Sequence, residues 1–149
     1  MGSPLLSSYA NFGTGAAFSV VTRRPKTRTG YLVGPAKTPN HPYELKVAEN
    51  QEERAAAFKL VHDAYVRAGL MTSHSMGMRV MKHHLSDRTD VLVVKRAGKV
   101  VFTSTLVRDG EFGLPLESLF SAEVQEMREQ GLQIAEVSCL ASDRTLEDK

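Results

Sequence analysis

Two β-branched runs, Asp90 to Lys95 and Lys99 to Val107, are separated in this chain only by Arg96-Ala97-Gly98. Val, Thr and Phe suit a pleated, half-buried surface, and so short a glycine-bearing gap leaves room for little but a tight antiparallel hairpin. The middle of the chain is therefore committed to antiparallel sheet, and the other segments must be fitted around it. Tyr43 to Ala48 reads as a further strand, because Tyr43, Leu45 and Val47 alternate with Glu44 and Lys46 in the period of a half-buried sheet. Gln133 to Ala141 reads as a fourth, fit for burial except for its one charge, Glu136.

Helical spacing fills the intervals. Asn50 stands as an N-cap with Glu53 in the capping-box position, and Ala57, Val61, Ala64, Tyr65 and Ala68, with Phe58 beside them, share one face up to the stop at Gly69. A second, shorter helix is predicted from about Ser75 to Leu85, carrying Met76, Val80 and Leu85 among the polar Arg79, Lys82, His83 and His84. After the loop signals Asp109-Gly110 and Gly113-Leu114-Pro115, helical spacing returns through Leu116, Leu119, Val124 and Met127 and ends at Gly131. The lead, residues 1–42, has prolines at 4, 25, 35, 39 and 42 and no sustained period. Such a composition cannot bury enough apolar surface to offset its ordering entropy, so a disordered basic tail is expected, with one domain over residues 43–149. No internal repeat is present.

At 149 residues, 42% hydrophobic and 24% charged, the chain has material for one domain around one core. The whole carries +2, but Arg23, Arg24, Lys26, Arg28 and Lys37 stand in a lead without acidic residues, so the rest carries −3. That balance offers no footprint for specific nucleic-acid binding. Cys139 is the only cysteine, which excludes an intramolecular disulfide and makes a reducing cytoplasm the expected setting. No apolar run reaches the roughly 20 residues of a membrane span, and no signal-peptide order opens the chain, so neither insertion nor export is expected.

Glu136 carries the chemistry. Withdrawing a carboxylate from water costs several kcal/mol unless it is paired, hydrogen-bonded or protonated, and burial raises its pKa towards neutrality, where it serves as a general base. The structural alternative is an edge strand with one wet face, where such a residue needs no explanation. Strict alternation places Ile134, Glu136, Ser138 and Leu140 on one face and the smaller Ala135, Val137, Cys139 and Ala141 on the other, which suits packing against helices. Ser138, beside Glu136, can hydrogen-bond a substrate or satisfy itself, and Cys139 reads as a small core hydrophobe. Arg79 can grip a carboxylate bidentately or serve in a surface ion pair. His83 and His84 point about 100° apart on a helix, which disfavours a shared metal, and His62 and Asp63 are expected to be solvated. No phosphate-cradling glycine motif occurs in a strand–helix context, since Gly13-Thr14-Gly15 lacks both flanks.

Strand, helix, short helix, hairpin, helix and strand in this order resemble the first half of the GNAT acyltransferase fold. Three segments are more specific: Leu60-Val61-His62-Asp63-Ala64-Tyr65-Val66-Arg67-Ala68-Gly69-Leu70, Phe112-Gly113-Leu114-Pro115-Leu116, and Ala135-Glu136-Val137-Ser138-Cys139-Leu140-Ala141. They resemble the N-acyl amino acid synthases of FeeM type, relatives of the acyl-homoserine lactone synthases, over about Tyr43 to Asp143. The resemblance implies an α+β domain with a mixed, mainly antiparallel sheet. It also implies transfer of a long acyl group from an acyl carrier protein thioester to the amino group of an amino acid, with no bound cofactor. By the same resemblance Glu136 is the catalytic carboxylate that helps to bind or deprotonate the attacking amine; Arg79, in the family-like Gly77-Met78-Arg79, is assigned to the acceptor's carboxylate and Tyr65 to the pocket wall. Where the lactone synthases have an arginine after the glutamate motif, this chain has Cys139, so homoserine-lactone chemistry is not implied.

The resemblance also implies further strands beyond the fourth, so the sheet is expected to be cut short, with an open edge inviting self-association. Two alternatives follow. One is a non-catalytic interaction module built on that edge; the weaker is a coenzyme A-dependent acetyltransferase.

Overall fold

The structure, a computed structural model, describes residues 19–23, as backbone, and residues 42–143. Four strands, β2 (Tyr43–Val47), β3 (Thr89–Arg96), β4 (Lys99–Arg108) and β5 (Gln133–Ser142), form the expected antiparallel set. A fifth, β1 (Ser19–Arg23), extends the sheet to the order β1-β5-β4-β3-β2. Helices α1 (Gln51–Arg67) and α2 (Glu117–Glu129) and a single 3-10 turn (Lys82–Leu85) complete an α+β domain.

The β3–β4 hairpin closes through Ala97-Gly98 alone, with φ of 49° and 80°, so Arg96 pairs directly with Lys99. Two consecutive left-handed residues match the right-handed twist of the flanking strands, which is why so short a loop works. At the start of α1 the Asn50 side chain accepts the Glu53 N–H at 2.9 Å, as the cap requires. Glu53 then departs from the reciprocal box. Its carboxylate takes the Glu49 N–H at 3.1 Å and the Lys95 ammonium at 2.8 Å. Lys95 first, and the Glu49 N–H second, hold this buried acid down to about 2, and the pair fastens the helix start to β3.

Both helices lie on one face of the sheet. The ladder partners Val91↔Thr105, Thr105↔Ser138 and Val107↔Glu136 share that face. Ala57 of α1, with Phe58 and Leu60 against it, packs with Ala48, Val91, Val93 and Val100, while Val124 of α2 packs with Val107, Leu114 and Ile134. Glu136 is therefore on the covered face beside the second cluster, with Val107 as its ladder partner and Ile134 two residues before it.

The alternation expected along β5 fails beyond Ser138. Thr105 pairs with Ser138 and Thr103 with Ala141, so Ser104 opposes two residues, a β-bulge in which Cys139 takes a φ of 53°. The extra residue reverses the facing: Cys139 and Ala141 join the covered side and pack against Val61, while Leu140 turns outward, 41% exposed. The helices thus cover the face of Glu136, and not the small-residue face predicted for them.

The short helix expected over Ser75 to Leu85 is reduced to Lys82–Leu85. Gly77 sits at φ 61°, which no α-helix accepts, and Met76, Val80 and Leu85 are exposed, so their helical spacing marks no buried face. Helix α2 is broken at Phe120 (φ −132°, ψ 44°), leaving Leu119 in solvent. Within the segment expected to be disordered, Ser19–Arg23 form β1, paired antiparallel with Gln133–Val137. The outer edge of β5, expected to stand open, is covered over that stretch. The remaining residues of the lead, 1–18 and 24–41, lie outside the described residues.

Candidate active site

Glu136 is fully enclosed, 0% exposed, on the part of the sheet's covered face formed by β5. Its Oε2 accepts the Leu116 N–H at 2.8 Å. Leu116 is the N-cap of α2, so this N–H is one of the unpaired donors at a helix start, where the helix dipole also favours negative charge. The buried Leu114 anchors the turn that presents it. The other oxygen, Oε1, is buried with no hydrogen-bond partner among the described residues. Desolvation dominates: burial raises the carboxyl pKa to about 6, the Leu116 N–H opposes the rise, and the nearby Glu117 adds to it. A carboxylate whose pKa lies at about 6, with one oxygen uncommitted, can accept a proton from a bound group.

Along the same face, Ser138 stands two residues from Glu136, roughly 7 Å by strand rise, and Thr105 is its ladder partner. Cys139 follows in the bulge, its Sγ 3.8 Å from the Met81 sulfur. Arg79 reaches the same region, its backbone N–H donating to the Phe58 carbonyl at 3.0 Å and its guanidinium 5.2 Å above the Tyr65 ring. Arg79 Nε is shielded from solvent and has no hydrogen-bond partner among the described residues. Tyr65 is half-buried; burial first, then the neighbouring Cys139, raise its phenol pKa, and Arg79 lowers it. Of the four residues singled out in the sequence, Arg79 stands over Tyr65, which neighbours Cys139, while Glu136 and Ser138 precede Cys139 on β5.

Sequence reasoning missed His84 and Thr105. His84 Nδ1 accepts the Met81 N–H at 3.0 Å, its ring stacks on Phe58 at 4.5 Å, and its Nε2 lies 3.4 Å from Thr105 Oγ1. Burial, then His83, Arg54 and Arg79, push its pKa down to about 4. Only the double histidine signalled anything here, and the geometry that separates the two rings is tertiary. His62, expected in solvent, is buried instead, with Nδ1 bonded to Asp63 at 3.0 Å and its ring edge-on to His74 at 4.9 Å. Among the described residues, no three His, Cys, Asp or Glu side chains gather as metal ligands, and no helix is long and apolar enough to cross a membrane.

Two grooves flank the region. One of about 970 Å³ lies between Arg88, Asp109, Glu117 and Arg128, where Arg128 binds Asp109 at 2.6 Å and also Glu117. The other, about 320 Å³, is lined mostly by apolar groups, including Ala64, Tyr65, Leu70, Phe102 and Leu140. Glu136 lines neither.

The profile of the N-acyl amino acid synthase FeeM family matches residues 56–149, from within α1 through the strand of Glu136 and beyond. The chain belongs to that family. Among solved structures, FeeM, an N-acyl amino acid synthase from uncultured soil microbes, shares the fold with a TM-score of 0.63 at 23% identity. The likeness covers 72% of this chain and 55% of that one, so the chain spans about half the length of this FeeM-family relative. No curated protein matches.

Proposed function

We propose that this FeeM-family protein is an N-acyltransferase that moves a long-chain acyl group from an acyl carrier protein thioester to the amino group of an amino acid. The observation that carries the reading is the enclosed Glu136, with one oxygen held by the Leu116 N–H and the other free. An amino acid presents an ammonium at neutral pH, and an ammonium cannot attack a carbonyl until it loses a proton. Glu136 accepts that proton. The freed nitrogen then forms the C–N bond, the C–S bond breaks, and the second nitrogen-borne proton ends on the departing sulfur. The products are amide, thiol and protonated Glu136, which returns its proton to solvent before the next cycle.

Arg79, with a guanidinium shielded on one side by Tyr65, binds the acceptor's carboxylate, and Ser138 hydrogen-bonds the substrate. The groove beside Tyr65 offers apolar wall to the substrates.

The test is amide formation from a carrier-bound acyl thioester and an amino acid, followed by mass spectrometry. Glu136→Gln keeps the shape and an acceptor for the Leu116 N–H but cannot take a proton, and is expected to lower turnover at least about 100-fold. Undiminished turnover by this variant removes the general base from the reading.

A further inference from the structure

Thr105 is a buried hydroxyl that the chemistry above leaves unused. It is 2% exposed, on the face that carries Glu136 and Ser138. Its surroundings decide which way its hydrogen bonds run. His84 Nδ1 accepts the Met81 N–H, so a neutral His84 ring carries its proton on Nε2, the nitrogen 3.4 Å from Thr105 Oγ1. The imidazole therefore donates and the threonine oxygen accepts. The hydroxyl's own proton is left over, and no hydrogen bond from Thr105 to another acceptor is formed among the described side chains, in contrast to Thr103, whose hydroxyl is spent on the Leu92 carbonyl at 2.9 Å. The stacking of His84 on Phe58 holds the donor ring in place.

Position matters as much as polarity. Thr105 is the ladder partner of Ser138, which makes it the diagonal neighbour of Glu136, a separation of roughly 7–8 Å. A base must touch the attacking nitrogen and a donor must touch the carbonyl oxygen, each at about 3 Å, with the forming C–N bond and the C–O bond between them. Diagonal positions on one face present a base and a donor from adjacent strands to the same side of the sheet.

We propose that Thr105 is the hydroxyl donor to the thioester carbonyl, polarising it and holding the oxygen's charge as the amine adds, with His84 as the positioning residue that turns the hydroxyl proton towards the substrate. This rests on the acyl-transfer reading above. In the step assigned to Thr105, the nitrogen lone pair forms the C–N bond and the C=O π pair moves onto oxygen, against the hydroxyl. When the pair returns, the C–S bond breaks and the thiol leaves; Thr105 keeps its proton throughout.

The first measurement needs no turnover. A ketone analogue of an acyl-pantetheine thioester, labelled with ¹³C at the carbonyl, is bound to the whole chain and to Thr105→Val and Thr105→Ser. A downfield carbonyl shift is expected with the unsubstituted protein and with Thr105→Ser, and its loss with Thr105→Val. Thr105→Val, close in shape, is also expected to lower kcat about 100-fold with KM changed less than about twofold, the effect of removing one donor to a developing oxyanion. His84→Phe should cost most of the same factor alone and little more in the Thr105→Val background, because the two act as one unit. A carbonyl shift independent of Thr105, or no binding of the analogue, overturns the assignment. A Thr105-dependent shift in a protein that forms no amide leaves this assignment standing and removes the acyl-transfer reading instead.

Discussion

At the scale of single residues, Glu136 trades stability for proton affinity. Its carboxyl is raised from 4.5 to about 6 by burial in the folded state. Between those values the folded protein binds the proton more tightly than the unfolded chain, so stability falls as pH rises through this window. The difference of about 1.5 pH units corresponds to about 2 kcal/mol. Glu136→Gln is therefore expected to be more stable than the unsubstituted protein by about 2 kcal/mol at pH 7, the gain shrinking to nothing below pH 4.5, as urea unfolding at a series of pH values would show. The proposed acyl transfer is expected to run the other way, its rate falling as pH drops below about 6 and Glu136 fills with its own proton. The residue was legible because a charge inside an apolar run is anomalous wherever the chain goes. Its partner was not: the Leu116 N–H lies 20 positions away and becomes a neighbour only when α2 is set against β5.

At the scale of elements, legibility followed locality. The hairpin is encoded by its own residues, and even its imperfection can be read there. Ala97 occupies a left-handed position at φ 49° that costs a residue with a Cβ roughly 1–2 kcal/mol. Ala97→Asn, giving the Asn-Gly pair that this turn prefers, is expected to raise stability by about 0.5–1 kcal/mol in chemical denaturation. The Asn50 cap and the strand periods were equally local. The short helix misled because Met76, Val80 and Leu85 have helical spacing without a surface to bury against. The bulge at Cys139 was silent because one extra residue changes no composition, only the register with β4. It nevertheless decides which side chains of β5 meet α1.

At the scale of the whole molecule, β1 protects the outer backbone edge of β5 over Gln133–Val137, the stretch that contains Glu136. A chain beginning at residue 42 would bare that edge, and unpaired strand edges recruit other strands. Such a chain is expected to self-associate in sedimentation or sizing measurements where the full chain does not. By itself, the sequence determined the antiparallel hairpin, the capped first helix, the α+β class and the suspicion falling on Glu136, because periodicity, turn chemistry and a misplaced charge act over a few neighbouring residues. Only the tertiary structure decided that both helices cover the face of Glu136, that a strand from the lead closes the edge of β5, and that His84 meets Thr105 on that face. Those outcomes depend on register and on contacts between distant segments, whose energies no local pattern contains.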